Sequence, residues 1–203
     1  MKRKIGLYLL LGGILSLAFV KKSEERQINV VIDAGHGGKD HGATFENFYE
    51  KNIVDNITTK IKKYNTDANV VLHFTRTGDD FVELKSRTDF INNLKPDLVL
   101  SLHVTHNANQ AASGSEIFIA KESPNKEKSN EFAEKLSEKL KQNTTGFRGV
   151  KEAPFFILKK SEAPAMIVEL GFLSNPTDRK LLVDEAGQTK LAKTILEFIG
   201  EIK

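Results

Sequence analysis

Apolar and polar positions follow one another along the chain in blocks that predict strands and helices in turn. Short runs of consecutive apolar residues are typical of buried strands, and apolar residues recurring every three or four positions are typical of helices with one buried face. The predicted strands are Ile28–Ala34, Val70–Thr75, Leu98–Val104, Ser115–Ala120, Phe155–Leu158 and Ala165–Leu170. The predicted helices are Tyr49–Tyr64, one through Leu84, Thr88, Ile91 and Leu94, one through Phe132, Leu136 and Leu140, and one through Leu191, Ile195 and Ile199.

This order of elements predicts the fold class. Strands that alternate with helices favour an α/β domain, in which helices cover both faces of the sheet. We therefore expect a single domain over residues 28–203, with a mostly parallel or mixed sheet of about six strands and helices on both faces. No repeat, low-complexity tract or internal boundary divides this stretch.

The first 27 residues have a different pattern. A basic start precedes Ile5–Val20, sixteen residues without a charge, and two lysines close the run. Such a pattern is typical of a secretory signal, and its length is at the short limit for crossing a bilayer. Residues 1–27 are predicted to be a signal peptide or an N-terminal membrane anchor followed by a linker. In either case the domain is expected outside the cytoplasm, in the periplasm or cell envelope, either free or anchored to the inner membrane.

Composition narrows the chemistry that is open to the domain. The chain is 39% hydrophobic and 28% charged, with a formal net charge of +3 and no cysteine. Because thiols are absent, disulfides, iron–sulfur clusters, cysteine nucleophiles and cysteine-ligated zinc are excluded. The small net charge and the lack of a basic stripe with interleaved aromatics argue against a nucleic-acid partner. Any metal must be bound through His, Asp or Glu.

A glycine-rich turn follows the first predicted strand. It contains His36 between Gly35 and Gly37. Ligands of open α/β sheets bind beyond the carboxyl ends of strands, and glycines let the backbone turn sharply and approach a ligand closely. The spacing matches neither the dinucleotide fingerprint nor the phosphate-binding loop. The turn is therefore predicted to deliver His36 to a site at the edge of the sheet.

Two further residues could complete such a site. Glu50 begins the first helix on its buried side, although a glutamate there could simply complement the helix dipole. His103 ends the most apolar strand, where a hydrogen-bonded core histidine is the alternative. His106 lies three residues further on and is a rival for the same role.

The three residues together predict a metal centre. Two histidines and one glutamate are a common ligand set for catalytic zinc, with the fourth position left to water. Such a site also needs a carboxylate base, and Glu169, near the end of the last apolar strand, is the candidate. The alternative for Glu169 is membership of a buried salt bridge.

Seven motifs that occur in a fixed order extend this interpretation over the whole domain. They are VVIDAGHGGKDHGA, YEKN, FTRTGDDFVELKSR, DLVLSLH, GSEIFIA, RGVKEAPFFIL and APAMIVELGFLSNPTD. In these motifs the chain resembles the zinc-dependent N-acetylmuramoyl-L-alanine amidases of the amidase-3 type. These enzymes cut the amide bond between the lactyl group of muramic acid and the first L-alanine of the stem peptide.

The resemblance implies specific roles. One zinc ion per domain would be held by His36, Glu50 and His103, with Glu169 as the catalytic base. The expected partner is peptidoglycan, and we expect a monomer. Further positions that recur in the family are Arg76, Arg87 and Asn175, and either Asp33 or Arg76 is expected to orient the ligands from behind.

The chain departs from the family pattern near the second histidine. Thr105 stands where the family usually has Asn, which leaves His106 open as a second-choice ligand. Ala34 replaces a usual Pro. The segment Lys121–Phe147, where some relatives carry an autoinhibitory insertion, has room for a single helix. Two other functions stay open: a catalytically silent wall-binding module, and another zinc peptidase or carboxypeptidase acting on wall peptides.

Overall fold

The computed structural model describes residues 26–203, so the predicted signal or anchor lies almost entirely outside the described residues. Within this range, no helix is long and apolar enough to cross a membrane. In chain order the elements are β1 (Ile28–Ala34), β2 (Thr44–Phe45), β3 (Phe48–Tyr49), α1 (Glu50–Tyr64), β4 (Val70–Phe74), α2 (Leu84–Leu94), β5 (Leu98–Thr105), β6 (Ser115–Ile119), α3 (Lys126–Asn143), β7 (Phe147–Glu152), α4 (Phe156–Lys160), β8 (Ala165–Phe172), α5 (Pro176–Val183) and α6 (Glu185–Glu201).

Six of the strands form one mixed sheet in the order β4-β1-β5-β8-β6-β7. The strands β4, β1, β5 and β8 are parallel, whereas β6 is antiparallel to β8 and parallel to β7. The strands β2 and β3 form a separate small hairpin between β1 and α1. This architecture confirms the predicted α/β domain with a mixed sheet.

Helices cover both faces of the sheet, as the alternating pattern predicted. On one face α1, α3 and α6 pack through residues such as Ile57, Leu136 and Ile195. On the other face α2 and α4 pack through Ile91 and Ile157. This second layer is small, since α2 has eleven residues and α4 has five, and it leaves His103 and Glu169, near the carboxyl ends of β5 and β8, partly exposed.

One predicted strand is wrong. Phe155–Leu158 is not a strand, because α4 occupies Phe156–Lys160, and the sixth strand is β7 instead. A short apolar run fits a strand and a buried helical turn equally well, so its periodicity alone does not decide. Ile157 and Leu158 are buried against the sheet while Phe155 and Phe156 are exposed, which is the burial of one helical turn.

Two features of the C-terminal half were not predicted or were predicted only in outline. The helix α5 was missed, although Asn175 caps its start by accepting hydrogen bonds from the backbone N–H of Thr177 and Asp178, and Pro176 occupies its first turn. The single helix expected in Lys121–Phe147 is present as α3, and it packs on the face opposite the uncovered part of the sheet.

Strand register brings the candidate residues to one edge. Asp33 of β1 lies opposite Ser101 of β5, and His103 of β5 lies opposite Glu169 of β8. Since alternate residues of a strand point to the same face, all four lie on the face that α2 and α4 cover only partly. Glu116 of β6 lies opposite Glu169 and continues this row.

Candidate active site

Three side chains from separate elements meet at the carboxyl end of β1 and β5. They are His36 after β1, Glu50 at the first position of α1 and His103 in β5, and their potential ligand atoms lie within 4.8 Å of one another. Nε2 of His36 is 3.2 Å from Oε2 of Glu50, and Nδ1 of His103 is 2.8 Å from Oε1. The structure thus brings together all three residues that the sequence predicted as ligands.

The glycines around His36 allow this close packing. His36 itself has a left-handed backbone, with φ of 60°. A Cβ atom at Gly35 would lie 2.7 Å from Nδ1 of His103, and one at Gly42 would lie 2.8 Å from Cδ of Glu50. Both distances are too short for real contacts, so any side chain at either glycine would displace His103 or Glu50.

Glu50 is held in place by the backbone as well as by the histidines. Its Oε2 accepts a hydrogen bond from the N–H of Ala43 at 2.7 Å, and its Oε1 accepts one from the N–H of Val104 at 3.1 Å. Burial by itself would raise the pKa of Glu50, but the hydrogen bonds from His103 and His36 outweigh burial and lower it to about 2. Glu50 is therefore an ionised carboxylate fixed between two imidazoles.

The pKa values of the two imidazoles shift upward, opposite to that of Glu50. Burial would lower the pKa of His36, but the hydrogen bond and attraction to Glu50 raise it to about 9. The pKa of His103 is also raised, because the same attraction to Glu50 outweighs its burial. The carboxylate of Glu50 thus favours positive charge on both imidazoles, and a divalent cation between the three side chains would supply that charge instead. Two imidazoles and a carboxylate, with no thiolate, fit a zinc ion.

Asp40 is the residue that orients His36. Its Oδ2 lies 2.9 Å from Nδ1 of His36, so the carboxylate fixes the ring and leaves Nε2 facing Glu50. A carboxylate on the far nitrogen is the usual support of a metal-binding histidine. The sequence pattern pointed to Asp33 or Arg76 for this function and missed Asp40, because a position four residues along an irregular loop has no periodicity to indicate it.

Asp33 is instead the centre of a buried network. Its carboxylate accepts hydrogen bonds from Thr75 at 2.5 Å, Ser101 at 2.6 Å and Arg87 at 2.8 Å. Burial would raise the pKa of Asp33, but attraction to Arg87 and these hydrogen bonds lower it. Asp33 therefore anchors Arg87 rather than a ligand side chain.

Arg76 and Arg87 hold the backbone of the loop that delivers His36. Arg87 donates to the carbonyl oxygens of Ala34 and His36, each at 2.5 Å. Arg76 donates to the carbonyl oxygens of Ala34 at 3.0 Å and Gly35 at 3.1 Å. Three successive carbonyls are thereby fixed by two buried guanidinium groups, which explains how the left-handed backbone at His36 is maintained.

Glu169 faces this group from the neighbouring strand. Its Oε2 is buried and has no hydrogen-bond partner, and no cation among the described residues forms an ion pair with it. Burial raises the pKa of Glu169 to about 7. A buried carboxylate oxygen without a partner is costly unless a ligand or water uses it. The alternative of a salt-bridged Glu169 has no support in these contacts.

His106, the rival ligand, lies apart from the group. It is exposed beyond the end of β5, and its ring centre lies 6.0 Å from that of Phe45. The third family position, Asn175, caps α5 and donates to the carbonyl of Gln110, which is a structural role.

A cavity of about 310 Å³ opens beside the two histidines. Asp40 and Arg87 line it near the ligands, and Phe81, Leu84 and Ile157 form an apolar wall. Phe81 and Leu84 are 42% and 52% exposed, so this wall faces solvent at the mouth of the cavity. Large apolar side chains exposed beside a polar cleft are typical of a ligand-binding surface.

Comparison with known proteins places the chain among enzymes. It is 34% identical to YqiI of Bacillus subtilis (strain 168) over 175 residues, which cover 84% of this chain and 82% of YqiI. It is 30% identical to the N-acetylmuramoyl-L-alanine amidase LytC of the same organism, covering 82% of this chain but 34% of LytC. The catalytic domain of the amidase CwlV from Bacillus (Paenibacillus) polymyxa var. colistinus superposes with a TM-score of 0.79 at 30% identity, covering 87% of this chain and 98% of that domain.

The family comparison covers nearly all of the folded domain. Residues 30–201 match the family Amidase_3, described as N-acetylmuramoyl-L-alanine amidase. The match includes the four candidate site residues and the whole sheet except the first two residues of β1. The chain therefore belongs to the Amidase_3 family of N-acetylmuramoyl-L-alanine amidases.

Proposed function

We propose that residues 28–203 form a zinc-dependent amidase that hydrolyses the bond between N-acetylmuramic acid and L-alanine in peptidoglycan. One observation carries the metal dependence: His36, Glu50 and His103 converge within 4.8 Å on the same face as the unpartnered Glu169. The choice of the muramoyl–alanine bond rests on membership of the family.

His36, Glu50 and His103 would hold the zinc ion, and Asp40 would keep the His36 ring in its binding orientation. A bound zinc ion lowers the pKa of a water molecule and polarises a carbonyl group. Glu169 accepts a proton from the attacking water and later donates it to the nitrogen of the leaving alanine. The buried Oε2, which no hydrogen bond commits to one protonation state, suits a group that must alternate between the two.

The substrate would lie across the uncovered part of the sheet. The cavity beside His36 and His103, with Phe81 and Leu84 at its mouth, offers an apolar surface next to the reacting amide. We place peptidoglycan as the partner because both the family and this open cleft suit a polymeric substrate.

Residues 1–27 would take the domain out of the cytoplasm, as a cleaved signal or as an anchor of an envelope protein. N-terminal sequencing of the protein from the envelope fraction tests this. A mature N-terminus after Val20 indicates a cleaved signal, an intact Met1 in the membrane fraction indicates an anchor, and full-length protein in the cytoplasm contradicts export.

The test of the activity is digestion of purified sacculi. We expect release of stem peptides with a free N-terminal alanine, loss of release after chelation and recovery with zinc. Release of single terminal amino acids would instead identify a carboxypeptidase, and binding without release would identify a silent wall-binding module.

The matched variants are His103→Ala and His106→Ala. His103→Ala should lose bound zinc and activity, whereas His106→Ala should keep a zinc stoichiometry near one. Zinc binding that survives in His103→Ala but not in His106→Ala would overturn the ligand set. Glu169→Ala should bind zinc without catalysing release, and full activity in that variant would exclude Glu169 as the base.

A further inference from the structure

A pair of cations lies on the same row of the sheet as Glu169, two strands away. Glu116 of β6 lies opposite Glu169 in register, and its carboxylate is bonded by Arg148 and Lys151 of β7. Nζ of Lys151 is 2.8 Å from Oε2 of Glu116, and Nε of Arg148 donates to Oε1. The reaction described above uses none of these three residues.

An irregularity in β7 brings the two cations together. Between the paired positions Ser115↔Phe147 and Ile117↔Val150, one residue intervenes on β6 and two residues intervene on β7. The extra residue is a β-bulge, and Gly149 within it has φ of 112°, which favours glycine. In a regular strand Arg148 and Lys151 would point to opposite faces, so the bulge is what turns both toward Glu116.

Both cations remain able to bind a further anion. Glu116 supplies one negative charge to two positive ones, so the cluster has a net charge of about +1. Lys151 has three N–H donors and Arg148 has five. One donor of Lys151 and one of Arg148 bond to Glu116, and a second donor of Arg148 bonds to the carbonyl of Ser113, so both side chains keep further donors. The side chain of Glu116 is 8% exposed, whereas those of Arg148 and Lys151 are 40% and 41% exposed.

Aromatic rings hold each cation in place. The guanidinium of Arg148 lies 5.0 Å from the ring centre of Phe172, and Nζ of Lys151 lies 5.8 Å from that of Phe118. Rings beneath a cation limit its motion and favour its charged form. The charged groups are therefore positioned at the β7 side of the cleft instead of extending freely into solvent.

The geometry points to Arg148 and Lys151 as the site that binds a carboxylate of the stem peptide, at the residue after the first alanine. This inference rests on the proposed function. The glycan strand carries no carboxylate at a substituted muramic acid, because its lactyl carboxyl group is in the scissile amide. The negative charge near the cut must therefore lie on the peptide.

Distances agree with this assignment. Strands in a sheet are about 4.8 Å apart, so β7 lies about 10 Å from β8, which carries Glu169. Two extended residues span about 7 Å, and the long side chains of Arg and Lys reach over the remainder. A carboxylate on the second stem residue would thus reach the pair while the first amide lies at Glu169, with the sugar on the side of Phe81.

The test compares two substrates whose γ-carboxyl group is blocked as a methylamide, as the next peptide bond blocks it in the stem, and which differ at one group. One is N-acetylmuramoyl-L-alanyl-D-glutamic acid γ-methylamide, with a free α-carboxylate, and the other is its α-amide. The zinc-loaded protein should cleave the acid with kcat/KM about 10-fold higher than the amide, chiefly through KM, as expected for a charge-assisted hydrogen bond. Lys151→Gln and Arg148→Gln should each remove most of this preference while leaving cleavage of the amide in place. Lys151→Glu should reverse the preference.

Lys126→Gln is the matched control. Lys126 forms an ion pair at 2.6 Å with Glu152, which lies on β7 like Arg148 and Lys151, and its side chain is 42% exposed. It belongs to α3, however, on the other face of the sheet. It should keep the wild-type preference for the acid. Equal cleavage of acid and amide by the wild type would overturn the carboxylate site. An equal fall in kcat/KM for both substrates in Lys151→Gln would overturn it too, and would mean that Lys151 and Arg148 only stabilise β7. Failure of the wild type to cleave either substrate would overturn the proposed function and this inference with it.

Discussion

Glu169→Gln is the substitution that most directly tests the electrostatics of the site. It keeps the shape of the side chain but removes both the charge and the ability to accept a proton. We expect the variant to lose activity by about 10²- to 10⁴-fold, the usual contribution of a general base. We also expect the metal-free variant to be more stable than the wild type at neutral and alkaline pH.

The size of the stability gain follows from the pKa of Glu169. Burial raises it from 4.5 to about 7, and one pKa unit corresponds to about 1.4 kcal/mol. The folded wild type keeps a proton between these values that the unfolded chain has already lost, so its free energy of unfolding falls as the pH rises through this window. The full penalty above pH 7 is about 3 kcal/mol, and part of the side chain reaches solvent, which makes this an upper value.

The assay is urea unfolding of both proteins in a chelator, at about pH 4 and about pH 8. Near pH 4 the wild-type side chain is neutral in both states, so the two proteins should differ little. Near pH 8 the variant should be more stable by about 1–3 kcal/mol. The same difference at both pH values would refute a raised pKa at Glu169, and unchanged activity would refute its function as the base.

Other perturbations test the support of the metal site. Asp40→Asn should weaken zinc binding about 10- to 100-fold with little change in stability, measured by competition with a chromophoric chelator; unchanged affinity would mean that Asp40 does not orient His36. Gly35→Ala should push the ring of His103 aside, so that zinc stoichiometry falls although the circular dichroism spectrum persists; full occupancy would contradict the close packing. Arg87→Ala should leave Asp33 buried without its cation and cost about 3–5 kcal/mol; a loss below about 1 kcal/mol in urea unfolding would show that this ion pair does not secure the loop.

The placement of the candidate ligands and the candidate base at one edge could be predicted because it depends on local patterns. Apolar runs identify β1, β5 and β8, and the carboxyl ends of parallel strands meet at one edge of a sheet. His36, His103 and Glu169 were all at or near such ends, and Glu50 began the helix that returns from that edge. The four residues could therefore be grouped before any distance was known.

The choice between His103 and His106 needed the register of β5. Both follow the same apolar run, and a loop histidine could have turned back toward the metal. Pairing of β5 with β8 places His103 opposite Glu169 on the cleft face, while His106 continues past the strand toward Phe45. The face on which a side chain lies depends on how its strand pairs with its neighbours, and a single sequence does not reveal that pairing.

The sequence by itself determined the fold class, the exclusion of thiol chemistry and the candidates for a zinc site, with His106 still open beside His103. Each of these depends on composition, on periodicity within one element or on motifs shared with a family. Only the tertiary structure decided which contacts support them. Asp40 behind His36, Arg87 between Asp33 and the loop carbonyls, and the bulge that turns Arg148 toward Glu116 are contacts between segments or deviations from regular geometry. Such contacts arise when loops and strands pack, so no repeating pattern along the chain records them.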